Sequence, residues 1–267
     1  MRSPYPSDVT REQFDIIRQI LETAKKVTCP RQIDLYEIFC AVLYLLKNAC
    51  TWRALPHDFP NWKLVYYYFG IWSKKDKSGL SILDHVLAKL KDAARTTQGR
   101  ADSPSMIIID SKTVQNADTA EEKGYDGAKK KTGVKIHIGV DILGNPYAAE
   151  VTTANVSDRD GAVLMFSNLM YSNMEFTLPR LEKVMCDGGY TGDEFAMKIY
   201  NITGAQVEIA KRSELHKFVV MPKRWIVERS FAWLDKCRRL WKNCERFIST
   251  TLSMVKLAFI SILIRRL

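Results

Sequence analysis

The hydrophobic pattern of this chain changes its period near residue 100, and this change limits the possible folds more than any other feature. Before that point, apolar residues recur at helical spacing, and Thr10-Arg11-Glu12-Gln13 forms a capping box at the start of the first helix. The same spacing predicts helices over residues 11–26, 33–48 and 61–73. We therefore expect an all-α N-terminal domain at residues 1–95, followed by a polar linker at residues 95–105.

Beyond the linker, short apolar runs alternate with turn residues, and this pattern predicts a mixed α/β sheet. Strands are predicted over residues 106–110, 134–141, 148–153, 181–187 and 205–210. The turn residues Gly144, Asn145 and Pro146 indicate that the second and third strands form a hairpin. Helices are predicted over residues 160–170, 192–201, 223–245 and 251–267. Residues 106–267 are thus expected to form one α/β domain.

Positive charge is concentrated at the C-terminal end of the chain. The whole sequence carries 40 Lys and Arg against 30 Asp and Glu, which gives a formal net charge of +10. Residues 211–267 contain 14 of the basic residues and 4 of the acidic ones, so the remaining 210 residues hold 26 of each. A concentrated basic segment is typical of proteins that bind the phosphate backbone of nucleic acids.

The cysteines and the apolar runs argue against other classes of protein. The six cysteines are not spaced as zinc ligands, so reduced and mostly buried thiols are expected. The N-terminus has no apolar signal core, and the apolar run at residues 257–264 is too short to span a membrane. We therefore expect an intracellular protein that has no membrane partner.

Two predicted strands end in an aspartate that directly follows an apolar run: Ile107-Ile108-Ile109-Asp110 and Val184-Met185-Cys186-Asp187. In open α/β sheets, functional groups gather beyond the carboxyl ends of strands, so adjacent strands would hold both carboxylates close together. A shared divalent cation removes the repulsion between such carboxylates. The alternative is that each aspartate only caps the turn after its strand, which is the commoner role of a single aspartate there.

A third acid, Glu228, lies on the helix predicted over residues 223–245. On a helical wheel, the basic residues Arg224, Arg239 and Lys242 fall near Glu228, whereas the apolar residues fall on the opposite side. Glu228 would therefore lie on a basic face suited to phosphate. The alternative is a surface ion pair with Arg224 one turn earlier, worth only about 0.3 kcal/mol.

Together, the three carboxylates predict a metal site for phosphodiester chemistry. Asp110, Asp187 and Glu228 would combine two strand ends with one helix, which is how polynucleotidyl transferases bind two divalent ions. Such ions activate the attacking oxygen and stabilise the leaving oxygen. Because hard oxygen ligands favour hard cations, the expected metal is Mg²⁺ or Mn²⁺.

Several motifs stand in the same order as in a known family. They are TWRALP at residues 51–56, IDSK at 109–112, KIHIGVD at 135–141, ANVSD at 154–158, CDGGY at 186–190 and RWIVERSFAWL at 224–234. With these motifs the chain resembles the DDE transposases of bacterial and archaeal insertion sequences, specifically the insertion sequence 5 group of the insertion-sequence-4-like superfamily. The resemblance runs almost from end to end, and it matches Asp110, Asp187 and Glu228 to the family's catalytic carboxylates.

The resemblance implies a ribonuclease H-like catalytic fold and a reaction that cuts and joins DNA. Mg²⁺-dependent hydrolysis at the transposon ends would be followed by attack of the freed 3′-hydroxyl on target DNA. The implied partners are double-stranded DNA, as terminal inverted repeats and as target, and further copies of the chain in a homo-oligomer. Such a protein would be cytoplasmic and associated with the nucleoid.

The sequence departs from related families near the glutamate. Those families have a tyrosine seven residues before it and a basic residue seven residues after it. Here Met221 and Asp235 occupy these positions, and Lys236 follows one step later. The three carboxylates are intact, but the cation that would contact the DNA end is left open.

Several basic residues are candidates for contacts with DNA. Lys135 and His137 share one face of a predicted strand, where they either reach phosphate or simply occupy a solvated face. On and after the glutamate helix, the candidates are Arg224, Arg229, Lys236, Arg239 and Lys242. The lysine-rich stretch at residues 114–132 is predicted to be a mobile loop that orders on DNA, with a plain solvated loop as the alternative. The N-terminal helices are expected to bind the DNA ends.

Two other functions are compatible with the sequence. One is a domesticated or inactive transposase derivative that binds DNA without catalysis, and the intact acidic triad is against it. The other is a ribonuclease H-like nuclease of repair or defence, and the match of the N-terminal domain is against it. We therefore predict an active transposase, which is both an endonuclease and a polynucleotidyl transferase.

Overall fold

The computed structural model describes residues 2–24, 32–171, 178–210 and 224–267. Within these ranges, four N-terminal helices precede a sheet with two intervening helices, and two more helices follow it. The N-terminal helices are α1 Arg11–Glu22, α2 Leu35–Asn48, α3 Trp62–Ser73 and α4 Ile82–Thr96. The first three confirm the helices predicted from the sequence, and α4 is an additional helix within the predicted helical segment.

Helix α1 begins at the predicted capping box. The Thr10 hydroxyl accepts a hydrogen bond from the Gln13 amide at 3.2 Å, and the Thr10 amide donates to the Gln13 side chain at 3.0 Å. This reciprocal pair satisfies two amides at the helix N-terminus that have no partner within the helix. The apolar stripe of Phe14, Ile17 and Leu21 is buried against the neighbouring helices.

Six strands form one mixed sheet in the described part of the chain. They are β1 Met106–Gln115, β2 Gly124–Asp126, β3 Lys131–Val140, β4 Pro146–Thr153, β5 Lys183–Cys186 and β6 Gln206–Ile209. The strand order is β2-β3-β1-β5-β6, and β4 also pairs with β3. Pairing is antiparallel between β1, β3 and β4 and parallel between β1, β5 and β6. The predicted hairpin of β3 and β4 is confirmed, and Gly144 in its turn has a φ of 82°.

The two faces of the sheet are covered by different helices, namely α5 Asp158–Tyr171, α6 Asp193–Thr203, α7 Arg224–Leu234 and α8 Ile248–Leu263. Ile107 and Ile109 of β1 face a core shared with α5 and α6, whereas Ile108 faces a core shared with α7, α8 and the N-terminal helices. This alternation follows from the two-residue period of a strand. The N-terminal helices and the sheet thus share one core, and the division into domains at 1–95 and 106–267 stays a prediction.

Helix α8 is strongly apolar, and it extends beyond the apolar run at residues 257–264 that was predicted to be too short for a membrane span. With the turn that follows it, the segment Ile248–Arg266 is long and apolar enough to cross a membrane by length and composition alone. However, 67% of its most apolar stretch is buried inside the protein, where α8 packs against α2, α4 and β4. The segment is therefore a core helix of this fold.

The predicted linker at residues 95–105 is anchored to the sheet at its first residue. Arg95 Nη1 lies 2.5 Å from Asp141 Oδ2, and the two side chains are 6% and 1% exposed. The Arg95 Nε also donates to the backbone oxygen of Ala101. The buried ion pair joins the end of α4 to the turn after β3.

The stretch at residues 114–132 is not one continuous loop, as its lysines predicted, because parts of it belong to three strands. Strand β1 continues to Gln115, and β2 pairs with the start of β3. Between them, the Thr113 hydroxyl donates to the buried Asp126 carboxylate at 2.6 Å, and the Ala117 amide donates to the Asn243 backbone oxygen at 2.8 Å. These bonds join the segment to distant parts of the chain.

Helix α7 ends at Leu234, whereas the sequence predicts a helix to residue 245. Beyond it, Arg239 points into the protein, where its Nε donates to Glu245 at 2.6 Å and its Nη1 donates to the Cys50 backbone oxygen at 2.7 Å. Arg239 and Glu245 are each 8% exposed. A continued helix would leave Arg239 on an outward basic face, so the buried ion pair and the longer helix exclude each other.

Candidate active site

Asp110 and Asp187 lie on neighbouring parallel strands. β1 pairs with β5 so that Ile108 is opposite Met185, and each aspartate follows two residues further along its chain. Asp187 directly follows β5, one residue beyond its last residue Cys186, but Asp110 is an inner residue of β1, because β1 continues along β3 after its pairing with β5 ends. By strand alternation, Asp110 is on the face of Ile108, which is the face that α7 covers.

Both carboxylates accept backbone hydrogen bonds. Asp110 Oδ1 accepts from the Ser111 amide at 2.7 Å, and Asp187 Oδ1 accepts from the Gly189 amide at 2.9 Å. The bond from Gly189 caps the turn after β5, and such capping is the alternative role predicted for Asp187 from the sequence. Because an ionised carboxylate offers about four acceptor positions, a capping bond and a metal ligand are compatible on one side chain.

The buried hydroxyl of Tyr190 lies among the carboxylates of this region. Tyr190 is 2% exposed and belongs to the short turn Gly188–Tyr190 that directly follows Asp187. Burial raises the pKa of Tyr190, and the negative charges of Asp110, Asp158 and Asp187 raise it further. All three carboxylates are therefore within electrostatic reach of one phenol group, which stays protonated.

Asp158 was not assigned a role from the sequence, although it ends the ANVSD motif. It begins α5, and its Oδ1 accepts a hydrogen bond from the Ser111 hydroxyl at 2.7 Å. Lys135 Nζ lies 2.8 Å from the same oxygen and donates to the Val156 backbone oxygen at 2.7 Å. Burial raises the pKa of Asp158, but the hydrogen bonds from Lys135 and Ser111 outweigh it, so the net shift is downward. This network ends on the residue next to Asp110.

Lys135 and His137 do not lie on a solvated strand face, so that alternative from the sequence is wrong. Lys135 is 6% exposed and His137 is 1% exposed. The His137 Nε2 lies 3.0 Å from the Thr152 hydroxyl, and burial lowers the pKa of His137 to about 4. Gly161 of α5 permits this packing, because a Cβ there would lie 2.0 Å from the ring. The contacts of Lys135 and His137 with phosphate stay predictions. The burial of the His137 ring argues against its contact.

Glu228 lies on α7, which packs against β1 and β3. Its neighbours Ile226 and Val227 are buried in the core, whereas the Glu228 side chain is exposed. An ion pair also holds the end of the helix, because Lys112 Nζ on β1 lies 2.5 Å from the Asp235 carboxylate. The acid at position 235, which departs from the pattern of related families, thus joins the glutamate helix to the strand that carries Asp110.

The basic face predicted around Glu228 is only partly present. The Arg229 guanidinium lies over the rings of Trp225 and Trp233, at 4.5 and 4.7 Å from their centroids, and donates to the Leu143 backbone oxygen at 3.1 Å. Arg229 thus holds α7 against the β3–β4 turn. Its contact with DNA stays a prediction.

The remaining basic residues that are candidates for DNA contact differ in their exposure. Lys236 and Lys242 are exposed but follow the end of α7, so they do not share a helical face with Glu228. Placing Arg239 on that face is wrong, because Arg239 is buried in its ion pair. The side chain of Arg224 and all of Met221 lie outside the described residues.

The donor chemistry of these carboxylates fits a hard divalent cation. Asp110 and Asp187 offer oxygen ligands on adjacent strands, and Glu228 lies on the helix that covers their face of the sheet. Among the residues that the structure describes, no group of three or more His, Cys, Asp or Glu side chains is arranged to hold a metal ion. The two aspartates thus follow paired residues of adjacent strands, while the three described side chains are not gathered into one coordination sphere.

These features define a mixed α/β protein with an acidic site where two parallel strands meet a helix. The chain belongs to the transposase DDE domain family, whose model matches residues 101–263. A second family model, described for transposases of the IS4/5 family, matches residues 9–78. The two matches confirm the resemblance seen in the sequence motifs.

A curated protein of Burkholderia cepacia, named as a transposase for the insertion sequence element IS402, is 32% identical to this chain over 120 residues. The match covers 44% of this chain and spans 56% of the length of that relative. A solved structure of piggyBac transposase in a synaptic complex with hairpin DNA aligns with a TM-score of 0.37 and 12% identity. It covers 98% of this chain and 67% of that chain.

Proposed function

We propose that this protein is an active transposase that cuts DNA at the ends of an insertion sequence and joins those ends to target DNA. In this proposal, Asp110, Asp187 and Glu228 are catalytic residues on a ribonuclease H-like domain. The observation that carries the proposal is the placement of Asp110 and Asp187 on paired parallel strands within the matched DDE domain. The alternative of a DNA-binding derivative without catalysis has less support, because all three carboxylates are present.

The three carboxylates would hold two divalent ions, Mg²⁺ or Mn²⁺. When bound, such ions activate the attacking oxygen and stabilise the leaving oxygen of an in-line phosphodiester displacement. The carboxylates themselves must be ionised and correctly oriented. The bond from Ser111 orients Asp110, and the bond from Gly189 orients Asp187. The Lys135–Asp158–Ser111 network supports the strand that carries Asp110.

Each chemical step would exchange one oxygen at phosphorus. In the first step, water loses a proton and bonds to phosphorus while the 3′-oxygen leaves as a hydroxyl. In the second step, that 3′-hydroxyl loses its proton and bonds to a phosphorus of target DNA, and the displaced target oxygen takes up a proton. No oxidant or further co-reactant is needed.

The proposed partners are the terminal inverted repeats, the target DNA and further copies of the chain in a homo-oligomer. The surplus of basic residues after residue 210 supports an interaction with the phosphate backbone. The N-terminal helices are proposed to bind the DNA ends. Lys236 and Lys242 are exposed and remain candidates for phosphate contacts.

A nicking assay on a plasmid that carries the element ends tests this proposal. With Mg²⁺ or Mn²⁺, the wild type should cut at the ends, and Asp187→Ala should reduce the rate by at least about 100-fold. Asp193→Ala is the matched control, because Asp193 is exposed at the start of α6. Equal cutting by Asp187→Ala would refute the metal assignment. Tight binding of the ends without cutting would instead indicate a derivative that only binds DNA.

A further inference from the structure

A cavity of about 310 Å³ opens where the N-terminal residues, α2, the end of α7 and the C-terminal segment meet. Four basic side chains line it, namely Lys47, Lys236, Arg265 and Arg266. Among the described residues that line this cavity, no side chain is acidic. The cavity therefore concentrates positive charge at the junction between the N-terminal helices and the helix that carries Glu228.

Asp8 acts electrostatically on Arg265 and Asp141 acts on Arg266, but each of these acids, like Asp235 beside Lys236, has a basic partner of its own. Asp8 pairs with Arg2 at 2.7 Å, Asp141 with Arg95 at 2.5 Å and Asp235 with Lys112 at 2.5 Å. Across the described ranges, none of the four cavity cations is in an ion pair with a carboxylate. Four like charges around one cavity repel each other, and a bound anion would remove that repulsion.

Ser7 provides an independent sign of a ligand. It lines the cavity and is 3% exposed, yet within the described structure its hydroxyl has no hydrogen-bond partner. Buried hydroxyl groups in native proteins are nearly always hydrogen-bonded, so such a group usually serves a ligand or an ordered water. A hydroxyl donor beside four cations is suited to an anion that carries oxygen acceptors.

The cations are held in place by bonds that leave donors for a ligand. Lys47 Nζ donates to the Lys236 backbone oxygen at 2.9 Å, and the Arg266 guanidinium lies over the Trp233 ring at 4.1 Å. Arg265 is largely committed to the protein, because its Nη1 donates to the backbone and hydroxyl oxygens of Ser261 and its Nη2 donates to the backbone oxygens of Ser7 and Asp8. Arg266 donates to the Asn145 side chain at 3.2 Å, and because arginine has five donors and lysine three, Arg266 and Lys47 keep donors for a ligand. The planar fork of Arg266 matches phosphate oxygens.

We propose that this cavity binds a phosphate group, and that its ligand is a phosphodiester of the DNA on which the enzyme acts. The assignment to DNA rests on the proposed function. Lys236 is the second residue after α7, whose last residue Leu234 lies only about 9 Å along the helix axis from Glu228. DNA held at the carboxylates could therefore continue into this cavity.

The test compares Ser7→Ala and Lys236→Gln with two matched controls. Ser73→Ala also removes a buried hydroxyl that has no hydrogen-bond partner in the described structure, but Ser73 does not line the cavity. Lys89→Gln removes an exposed positive charge that does not line the cavity either. Each protein is titrated into a short fluorescent DNA duplex at several salt concentrations. In a second arm, inorganic phosphate is added at constant ionic strength and the Tm is measured.

We expect Ser7→Ala to weaken duplex binding about fivefold and Lys236→Gln to reduce the slope of log affinity against log salt by about 0.9. Phosphate should raise the Tm of the wild type and of both controls, but raise it less in the two cavity variants. If the cavity variants behave like the controls in both arms, the proposal is overturned.

The duplex titration and the phosphate measurement together distinguish DNA from free phosphate as the ligand of the cavity. If the cavity variants lose only the response to inorganic phosphate, the ligand is a free phosphate ion and the assignment to DNA is refuted. If the wild type itself binds no duplex, the proposed function fails and the DNA assignment fails with it. The phosphate arm still reports whether the cavity is an anion site.

Discussion

Lys135 Nζ lies 2.8 Å from Asp158 Oδ1, and this ion pair between a buried lysine and a half-buried aspartate supports the strand that carries Asp110. Asp158 links the lysine to the Ser111 hydroxyl, and the Ser111 amide in turn holds the Asp110 carboxylate. The chain of contacts therefore runs from β3 through the start of α5 to β1. It gives Lys135 a defined structural role whether or not DNA also reaches it.

Asp158→Asn should weaken catalysis through Asp110 rather than by removing a metal ligand. Removing the charge leaves Lys135 without its counterion and loosens the bond to Ser111. Groups that orient metal ligands typically change activity or metal affinity by about 10- to 100-fold, and we expect a loss of that size. The measurements are the cleavage rate and the Mn²⁺ concentration for half-maximal rate, with Asp193→Asn as the control. An unchanged Mn²⁺ dependence would argue against this positioning role.

Arg95→Met should strongly destabilise the protein, because it leaves the Asp141 carboxylate buried without its counterion. Breaking such a pair on one side typically lowers the free energy of unfolding by about 3–5 kcal/mol. Lys198→Met serves as the control, since it breaks the exposed pair with Glu194, which solvent screens, and should leave stability nearly unchanged. Urea denaturation at neutral pH measures both. Equal urea midpoints for the two variants would show that the ion pair of Arg95 with Asp141 contributes little to stability.

His137 should make the folded state sensitive to mild acid. Burial lowers the pKa of His137 from 6.5 to about 4, so the unfolded chain binds a proton in this range while the folded protein does not. The contribution of neutral His137 to the free energy of unfolding is complete above pH 6.5. It is lost as the pH falls towards 4, and the loss is about 3 kcal/mol in total. Nearby Asp158 opposes the shift, and Lys135 adds to it. Urea midpoints between pH 4 and 7 should fall less steeply for His137→Gln, and an identical slope in the two proteins would contradict this.

Gly161→Ala should disrupt the contact between α5 and β3. Its new Cβ would lie 2.0 Å from the His137 ring, so the helix must shift, at about 1–3 kcal/mol. Gly70→Ala in α3 is the matched helical control, because no atom lies within 4 Å of its added Cβ. That change should stabilise the protein by about 0.5–1 kcal/mol. Thermal unfolding of both variants measures the difference, and stabilisation by Gly161→Ala would show that the ring is not packed there.

The sequence predicts those features that depend on local periodicity. The helix at Arg11–Glu22 has its own capping box, and the β3–β4 hairpin has its own turn residues, so neither needs distant partners to be recognised. Asp187 is a candidate for the same reason, because it directly follows a short apolar strand. The family motifs point to Glu228, which the helical pattern alone does not distinguish from a surface acid, and the catalytic role of both residues stays a prediction.

Features that depend on distant partners were missed or misjudged. The early end of α7 reflects the pairing of Arg239 with Glu245 and Cys50, and the helical pattern continues past that point. The order of residues 114–132 reflects bonds to Asn243 and the residues after it. The role of Asp158 depends on Ser111 and Lys135, which are 47 and 23 positions away in the chain. Such contacts leave no periodic signal in one sequence.

The most direct test of the metal assignment is an anomalous difference map from crystals of the protein with Mn²⁺ and DNA that carries an element end. We expect a peak that contacts the carboxylates of both Asp110 and Asp187, with Glu228 turned towards it, and no such peak in Asp187→Asn. Mn²⁺ bound elsewhere while both aspartates contact only protein or water would contradict the account.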